Sequence, residues 1–175
     1  MGSTIPKFNG GMSNIFKYKE FSLTLNMIYN FGAVMRRDVN EFYTGRLSMR
    51  NISPDFLNRW KKPGDEKITN IPGYQADPGY NYLNRNTSFY TLGDINVADA
   101  SYVKLRDISL GYNLDPKLLK SLKIQSVNLF VQLKNIMLWK ANKYGIDPEY
   151  HNFRQGTRYV RSGEHTISFG ANINF

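Results

Sequence analysis

A chain of 175 residues with a net charge of +9 and no cysteine is long enough for one ordinary domain and excludes a disulfide framework or a cysteine-based metal or redox site. Its Lys and Arg residues are scattered in runs no longer than Arg36-Arg37 and Lys61-Lys62, which describes a mixed, solvated surface and argues against a nucleic-acid partner. Mean hydropathy is negative and the longest unbroken apolar run is Ile136-Met137-Leu138-Trp139, so a transmembrane helix of about 20 apolar residues is excluded.

A membrane-spanning strand leaves a weaker trace, because only alternate residues meet lipid. At the N-terminus, Met1-Gly2-Ser3-Thr4-Ile5-Pro6 has neither the basic nor the apolar region of a signal peptide. An outer-membrane protein must be exported, so the expectation is either that the chain is the tail of a longer polypeptide or that it is not an outer-membrane protein. The first strand is expected over residues 7–18, where Phe8, Met12, Phe16 and Tyr18 share a face broken by Gly10. A short turn at Lys19-Glu20 leads to a second strand over 21–31. Phe21, Leu23, Leu25, Met27, Tyr29 and Phe31 face one way, and Ser22, Thr24, Asn26 and Asn30 the other, with Ile28 the exception. Aromatics sit at both ends and aliphatics between them, as expected of a strand crossing two membrane interfaces.

The long segment 32–101 follows, with an N-cap and first-turn proline at Ser53-Pro54 opening one or two helical turns, and irregular loop from Pro72 to Asn86. A third strand over 102–114 changes phase. Val103 and Leu105 share one parity, while Ile108, Leu110, Tyr112 and Leu114 share the other, so a β-bulge is expected near Asp107. The fourth strand, over 124–138, alternates Val127, Leu129, Val131 and Leu133 against Asn128, Phe130, Gln132 and Lys134. A second long loop, 139–162, precedes the fifth strand over 163–175. There His165, Ile167, Phe169, Ala171, Ile173 and Phe175 oppose Glu164, Thr166, Ser168, Gly170, Asn172 and Asn174. That polar face is small, suited to a crowded, water-filled lumen.

Short and long connections alternate, as in outer-membrane barrels with short periplasmic turns and long extracellular loops. The expected fold class is therefore all-β: an antiparallel transmembrane β-barrel segment of about five strands, with 32–101 and 139–162 as outer loops. The expected lipid-facing residues are Phe21, Leu23, Leu25, Met27, Tyr29, Ile167, Phe169 and Ile173. Trp60, Tyr74, Tyr80, Tyr82, Phe89 and Tyr90 are candidate loop contacts for a ligand or partner, the alternative being that they pack the loop against itself. Asp65 with Glu66, and Asp147 with Glu149, lack the spaced oxygen donors of a calcium loop and are expected to be solvated. His151 and His165 match no zinc or nucleophile motif, and no phosphate loop, dinucleotide fingerprint or catalytic triad is present. No catalytic residue, metal ligand or cofactor is therefore assigned, and the chain is not expected to be an enzyme.

Several segments, in order, resemble one family. They are Gly2-Ser3-Thr4-Ile5-Pro6-Lys7-Phe8-Asn9-Gly10-Gly11 with Tyr18-Lys19-Glu20-Phe21, then Arg59-Trp60-Lys61-Lys62-Pro63-Gly64-Asp65. Asp99-Ala100-Ser101-Tyr102-Val103-Lys104-Leu105-Arg106 and Ile108-Ser109-Leu110-Gly111-Tyr112-Asn113-Leu114 follow, then Gln132-Leu133-Lys134-Asn135-Ile136 and Tyr144-Gly145-Ile146-Asp147-Pro148-Glu149. Together they resemble the C-terminal part of SusC/RagA-type TonB-dependent outer-membrane transporters. The resemblance implies an outer-membrane importer of Bacteroidetes-type bacteria, with a barrel of roughly 22 strands closed by a plug. It implies uptake of glycans or oligopeptides with a SusD-like surface lipoprotein, and force from the TonB complex acting through N-terminal parts that this chain lacks. Phe175, with Phe169, Ala171 and Ile173, resembles the signal read by the barrel-assembly machinery. The rival expectation is a soluble or surface-exposed β-rich carbohydrate-binding module.

Overall fold

The computed structural model describes residues 2–39, 52–75, 88–120, 124–154, 157–158 and 165–175. In chain order its strands are β1 (Phe8–Tyr18), β2 (Phe21–Phe31), β3 (Val34–Arg36), β4 (Val97–Asp99), β5 (Tyr102–Asn113), β6 (Ser126–Lys140), β7 (His151–Asn152), β8 (Thr157–Arg158) and β9 (Thr166–Asn174). Five of these, β1, β2, β5, β6 and β9, form one antiparallel sheet in that order. Every long strand thus lies beside the next long strand of the sequence, the up-and-down path of a barrel wall. The fold is the all-β barrel segment expected from the alternation. Gly163 and Glu164, at the start of the expected fifth strand, lie outside the described residues.

Local chemistry explains the path. Lys19 takes a left-handed φ of 51° and reverses the chain between β1 and β2, whose register then pairs Tyr18 with Phe21 and Phe8 with Phe31. At the far end of β2, Gly32 has φ +78°, a conformation that costs a side chain about 1–2 kcal/mol, and its N–H bonds to Ser101 Oγ at 3.0 Å. Between β5 and β6, Asp115 caps the short helix Pro116–Leu119 by accepting from the Lys117 N–H. The phase change in β5 is a bulge. The register of β2 on β5 slips between Asn26 and Met27, leaving Arg106 as the extra residue.

The buried core does not lie against this sheet. It lies in the connections at the sheet's loop end, where β3 pairs with β4. Ala33, Met35, Ala98, Ala100 and Ile146 form one cluster with Phe153 packed against it. Phe56 and Tyr90 form a second, joined by Val39, Ile71 and Tyr74. Ser53 accepts from the Asp55 N–H to start the 3-10 turn Pro54–Asn58, which delivers Phe56 into that second cluster. The long connection is therefore folded around its own small core.

Candidate functional site

The strand register turns five alternating sequences into one continuous apolar face. Phe16, Leu23, Leu110, Val131 and Phe169 form one transverse row, and Tyr18, Phe21, Tyr112, Leu129 and Ala171 the row beside it. Towards the other end come Leu25, Ile108, Leu133 and Ile167, with Asn14 as the polar exception on β1, then Met12, Met27, Leu105 and Ile136. Aromatic rings close both ends. Phe21 meets Tyr112 at 4.8 Å between centroids at the turn end, while Phe31 lies 5.5 Å from Tyr29 and 6.1 Å from Trp139 at the loop end. About ten residues separate the two aromatic belts; at ~3.3 Å each and a tilt of ~40°, they span the ~25 Å apolar band of a bilayer.

This face is bare. Phe169 is 78% exposed, Phe8 69% and Phe16 56%, and Leu110 in the central strand is 49% exposed. A contiguous apolar surface of this extent marks a site of contact with lipid or protein. Gly10 belongs to it as well, because the Tyr29 ring lies across β1 and a Cβ on Gly10 would come within 2.6 Å of the Tyr29 hydroxyl. Of the expected lipid-facing residues, Phe21, Leu23, Leu25, Met27, Tyr29, Ile167, Phe169 and Ile173 all share this parity. Phe175 follows β9 and is 82% exposed.

The opposite face is polar and bonded across strands. Asn26 Nδ2 donates to Asp107 Oδ1 at 2.9 Å, Asn30 Nδ2 to the Tyr102 hydroxyl at 2.8 Å and Asn128 Nδ2 to Asn113 Oδ1 at 2.8 Å. Side-chain pairs of this kind fix strand register without a packed core. Thr24 pairs with Ser109, and Gln132 with Ser168, on the same face.

At the loop end of this polar face the structure corrects one expectation. Asp147 and Glu149 are not solvated. Lys104 of β5 is 0% exposed, and its Nζ donates to Asp147 Oδ2 at 3.1 Å and to Glu149 Oε2 at 2.6 Å. Glu149 also pairs with Arg106, the bulge residue, and the Lys104 ammonium lies 4.7 Å from the centre of the Tyr150 ring. The sequence offers little warning of this, since Lys104 alternates with Val103 and Leu105 as any lumen-facing residue would.

The two long connections are joined to each other by a second group that sequence reasoning missed. Arg37 Nε donates to Asn96 Oδ1 at 3.0 Å, its guanidinium pairs with Asp55, and it lies 4.5 Å from the Tyr144 ring centre. Asn96, fully buried, donates in turn to the Tyr90 carbonyl. His151, also buried, donates from Nε2 to the Arg36 carbonyl at 2.6 Å, while His165 is exposed with Nδ1 2.8 Å from the Asn135 carbonyl.

Among the candidate loop aromatics, Phe89 is 82% exposed, Trp60 is 36% exposed, Tyr74 is half-buried and Tyr90 is buried. Tyr80 and Tyr82 lie outside the described residues. The Trp60 indole donates to Glu66 Oε2 at 3.1 Å, and the Gly64 N–H donates to the same oxygen at 2.8 Å. The Glu66 carboxyl is held below the usual carboxylate range, first by its own backbone N–H and then by the Trp60 and Gly64 donors. Asp65 accepts from the Lys61 and Lys62 N–H groups, so this acidic pair shapes its own turn.

No family model matches the sequence. Over 183 residues the chain is 28% identical to TonB-dependent receptor P39 of Formosa agariphila, covering 100% of this chain and 17% of that receptor. It is 26% identical over 175 residues to TonB-dependent receptor P3 of the same organism, covering 99% of this chain and 16% of that protein. Among solved structures it superposes on the RagAB peptide importer in the open-open state with a TM-score of 0.68 and 24% identity, over 99% of this chain and 18% of that one. A second structure of the RagAB peptide transporter gives 0.69 and 22%, again over 99% and 18%. In sequence the chain is similar to these TonB-dependent receptors, and in fold to the corresponding part of the RagAB structures. It spans 17% or less of the length of the receptors it matches.

Proposed function

We propose that this segment forms lipid-facing wall and outer loops of a TonB-dependent nutrient importer in the cell outer membrane, acting by transport and not by catalysis. The observation that carries the reading is the apolar face, interrupted only at Asn14 among the rows described, with an aromatic belt at each end and a hydrogen-bonded polar face behind it. The similarity to two TonB-dependent receptors supports it. In this reading the whole importer takes up glycans or oligopeptides together with a SusD-like surface lipoprotein, and TonB-delivered force acts on parts of the protein outside this chain. Exposed Phe89 and Trp60 on the outer loops are the described residues best placed to touch ligand or lipoprotein. Alternating Phe169, Ala171, Ile173 and Phe175 suit recognition by the barrel-assembly machinery.

The open edges at β1 and β9, together with the apolar face, make the isolated segment aggregation-prone in water. Expression of the chain without detergent is therefore expected to give aggregate or membrane-associated protein. A detergent-free monomer with one cooperative unfolding transition would overturn the proposal and favour the soluble carbohydrate-binding module.

A further inference from the structure

We propose that residues 141–154 form a strap folded back over the polar face of the wall, fastened by Lys104, and that unfastening this clasp is what frees the strap to move. The inference rests on the proposed barrel reading for one point only, that the polar face is the lumen side.

The placement follows from register. Lys104 pairs with Ile28 and Tyr102 with Asn30, which puts Lys104 on the same side of the sheet as Asn26, Asp107 and Ser109. The two carboxylates that reach it come from the turn Pro148–Tyr150 and its cap Asp147, 43 and 45 residues further along the chain. The strap therefore crosses the polar face and leaves the lipid-facing side bare. It is attached at its other points as well. The Ala141 N–H bonds to the Ser101 carbonyl at 2.9 Å, Ile146 is 1% exposed in the cluster with Met35 and Ala98, and the Arg36 N–H bonds to the Phe153 carbonyl at 2.8 Å. Asn142 holds both the N–H and the carbonyl of Ile146, shaping the bend before Asp147.

What distinguishes the Lys104 attachment is its charge. Lys104 and Arg106 face Asp147 and Glu149, a balanced set with Lys104 wholly out of water. Buried ion pairs add little net stability over an apolar contact, but an unpaired buried charge is strongly disfavoured, so such a set admits one seated position and resists partial ones. The strap is thus either seated or released, with few states between. Seated, it narrows the polar side of the wall at its loop end; released, it leaves that side open.

The test uses the full-length receptor in detergent, with hydrogen exchange of the strap amides as readout and heat-modifiable gel migration as the independent measure of barrel formation. Lys104→Met leaves the partly buried Asp147 without its cation and Glu149 with Arg106 alone, and is expected to lower protection across 141–154 by roughly tenfold, with β1 and β2 unchanged. Asp147→Asn with Glu149→Gln alters only the strap, leaves the wholly buried Lys104 without a counter-charge and is expected to lower it by roughly a hundredfold. In the unsubstituted receptor, 1 M salt is expected to leave strap protection intact, because a buried pair is little screened. A folded barrel in which both variants keep wild-type strap protection overturns the proposal. If Lys104→Met fails to assemble, the strap double variant decides by the same criterion. An unsubstituted receptor that never shows barrel migration would instead sink the barrel reading.

Discussion

The sheet and the loop unit solve the burial problem in opposite ways. Apart from Tyr102 and Lys104 at its loop end, the sheet buries little: Leu110 and Phe169 stand exposed, and order comes from backbone ladders and cross-strand pairs such as Asn26 with Asp107. The loop unit, built from β3, the turn Asp94–Asn96, β4 and 141–154, hides Met35, Ile146 and Asn96 almost completely. The difference teaches where water belongs. Loops that meet water on the outside need an inner core, whereas a wall that meets lipid needs an apolar exterior and no core at all.

Four substitutions or titrations break or sharpen that contrast. The largest effect is expected in the loop unit, where Ile146→Ala empties a site 1% exposed and is expected to cost about 2–5 kcal/mol locally. Hydrogen exchange should show 141–154 and β3 losing protection while the barrel still migrates as folded. In the wall the same kind of truncation matters less than charge. Leu25→Arg, near the middle of the apolar face, is expected to cost ~2–4 kcal/mol in denaturant unfolding from bilayers, whereas Thr24→Arg on the opposite face should cost much less. Equal costs at both positions would erase the contrast between faces.

Smaller again is Gly32→Ala, at the junction of the two regions. Its φ of +78° puts the expected cost at about 1–2 kcal/mol, measured by the same unfolding assay. The smallest effect concerns Glu66, which is fully exposed. A carboxyl held below its ordinary range stabilises its turn at pH values above that range, and the contribution is lost as pH falls through the lowered value. Trp60 fluorescence, read in a Trp139→Phe background, should therefore hold steady through the ordinary carboxylate range and change only at more acid pH. A change centred in the ordinary range would remove the Trp60–Glu66 clasp from the account.

Much of the wall was legible because a strand with one apolar face writes a period of two into the sequence, and the bulge betrayed itself by the phase change between Leu105 and Ile108. Ile28 broke the pattern, and its register partners are Gly11 and Lys104. The loop unit was largely illegible. Ala33, Met35, Ala98, Ala100 and Ile146 are small or isolated apolar residues from three distant stretches, and no local period links them. Arg37 and Lys104 looked like ordinary surface cations, because their partners Asp55, Asn96, Asp147 and Glu149 are brought together only by the fold. The 3-10 turn at Pro54–Asn58 was the exception, announced by its own cap.

The central claim is that one face of the sheet meets lipid and the other meets water. With no native cysteine in this chain, single cysteines can be placed along β5 at Ile108, Ser109, Leu110, Gly111 and Tyr112 in the full-length receptor and spin-labelled in bilayers. The account predicts that accessibility to dissolved oxygen peaks at Ile108, Leu110 and Tyr112, and accessibility to a water-soluble relaxation agent peaks at Ser109 and Gly111. Uniform access of the water-soluble agent to all five positions would contradict it.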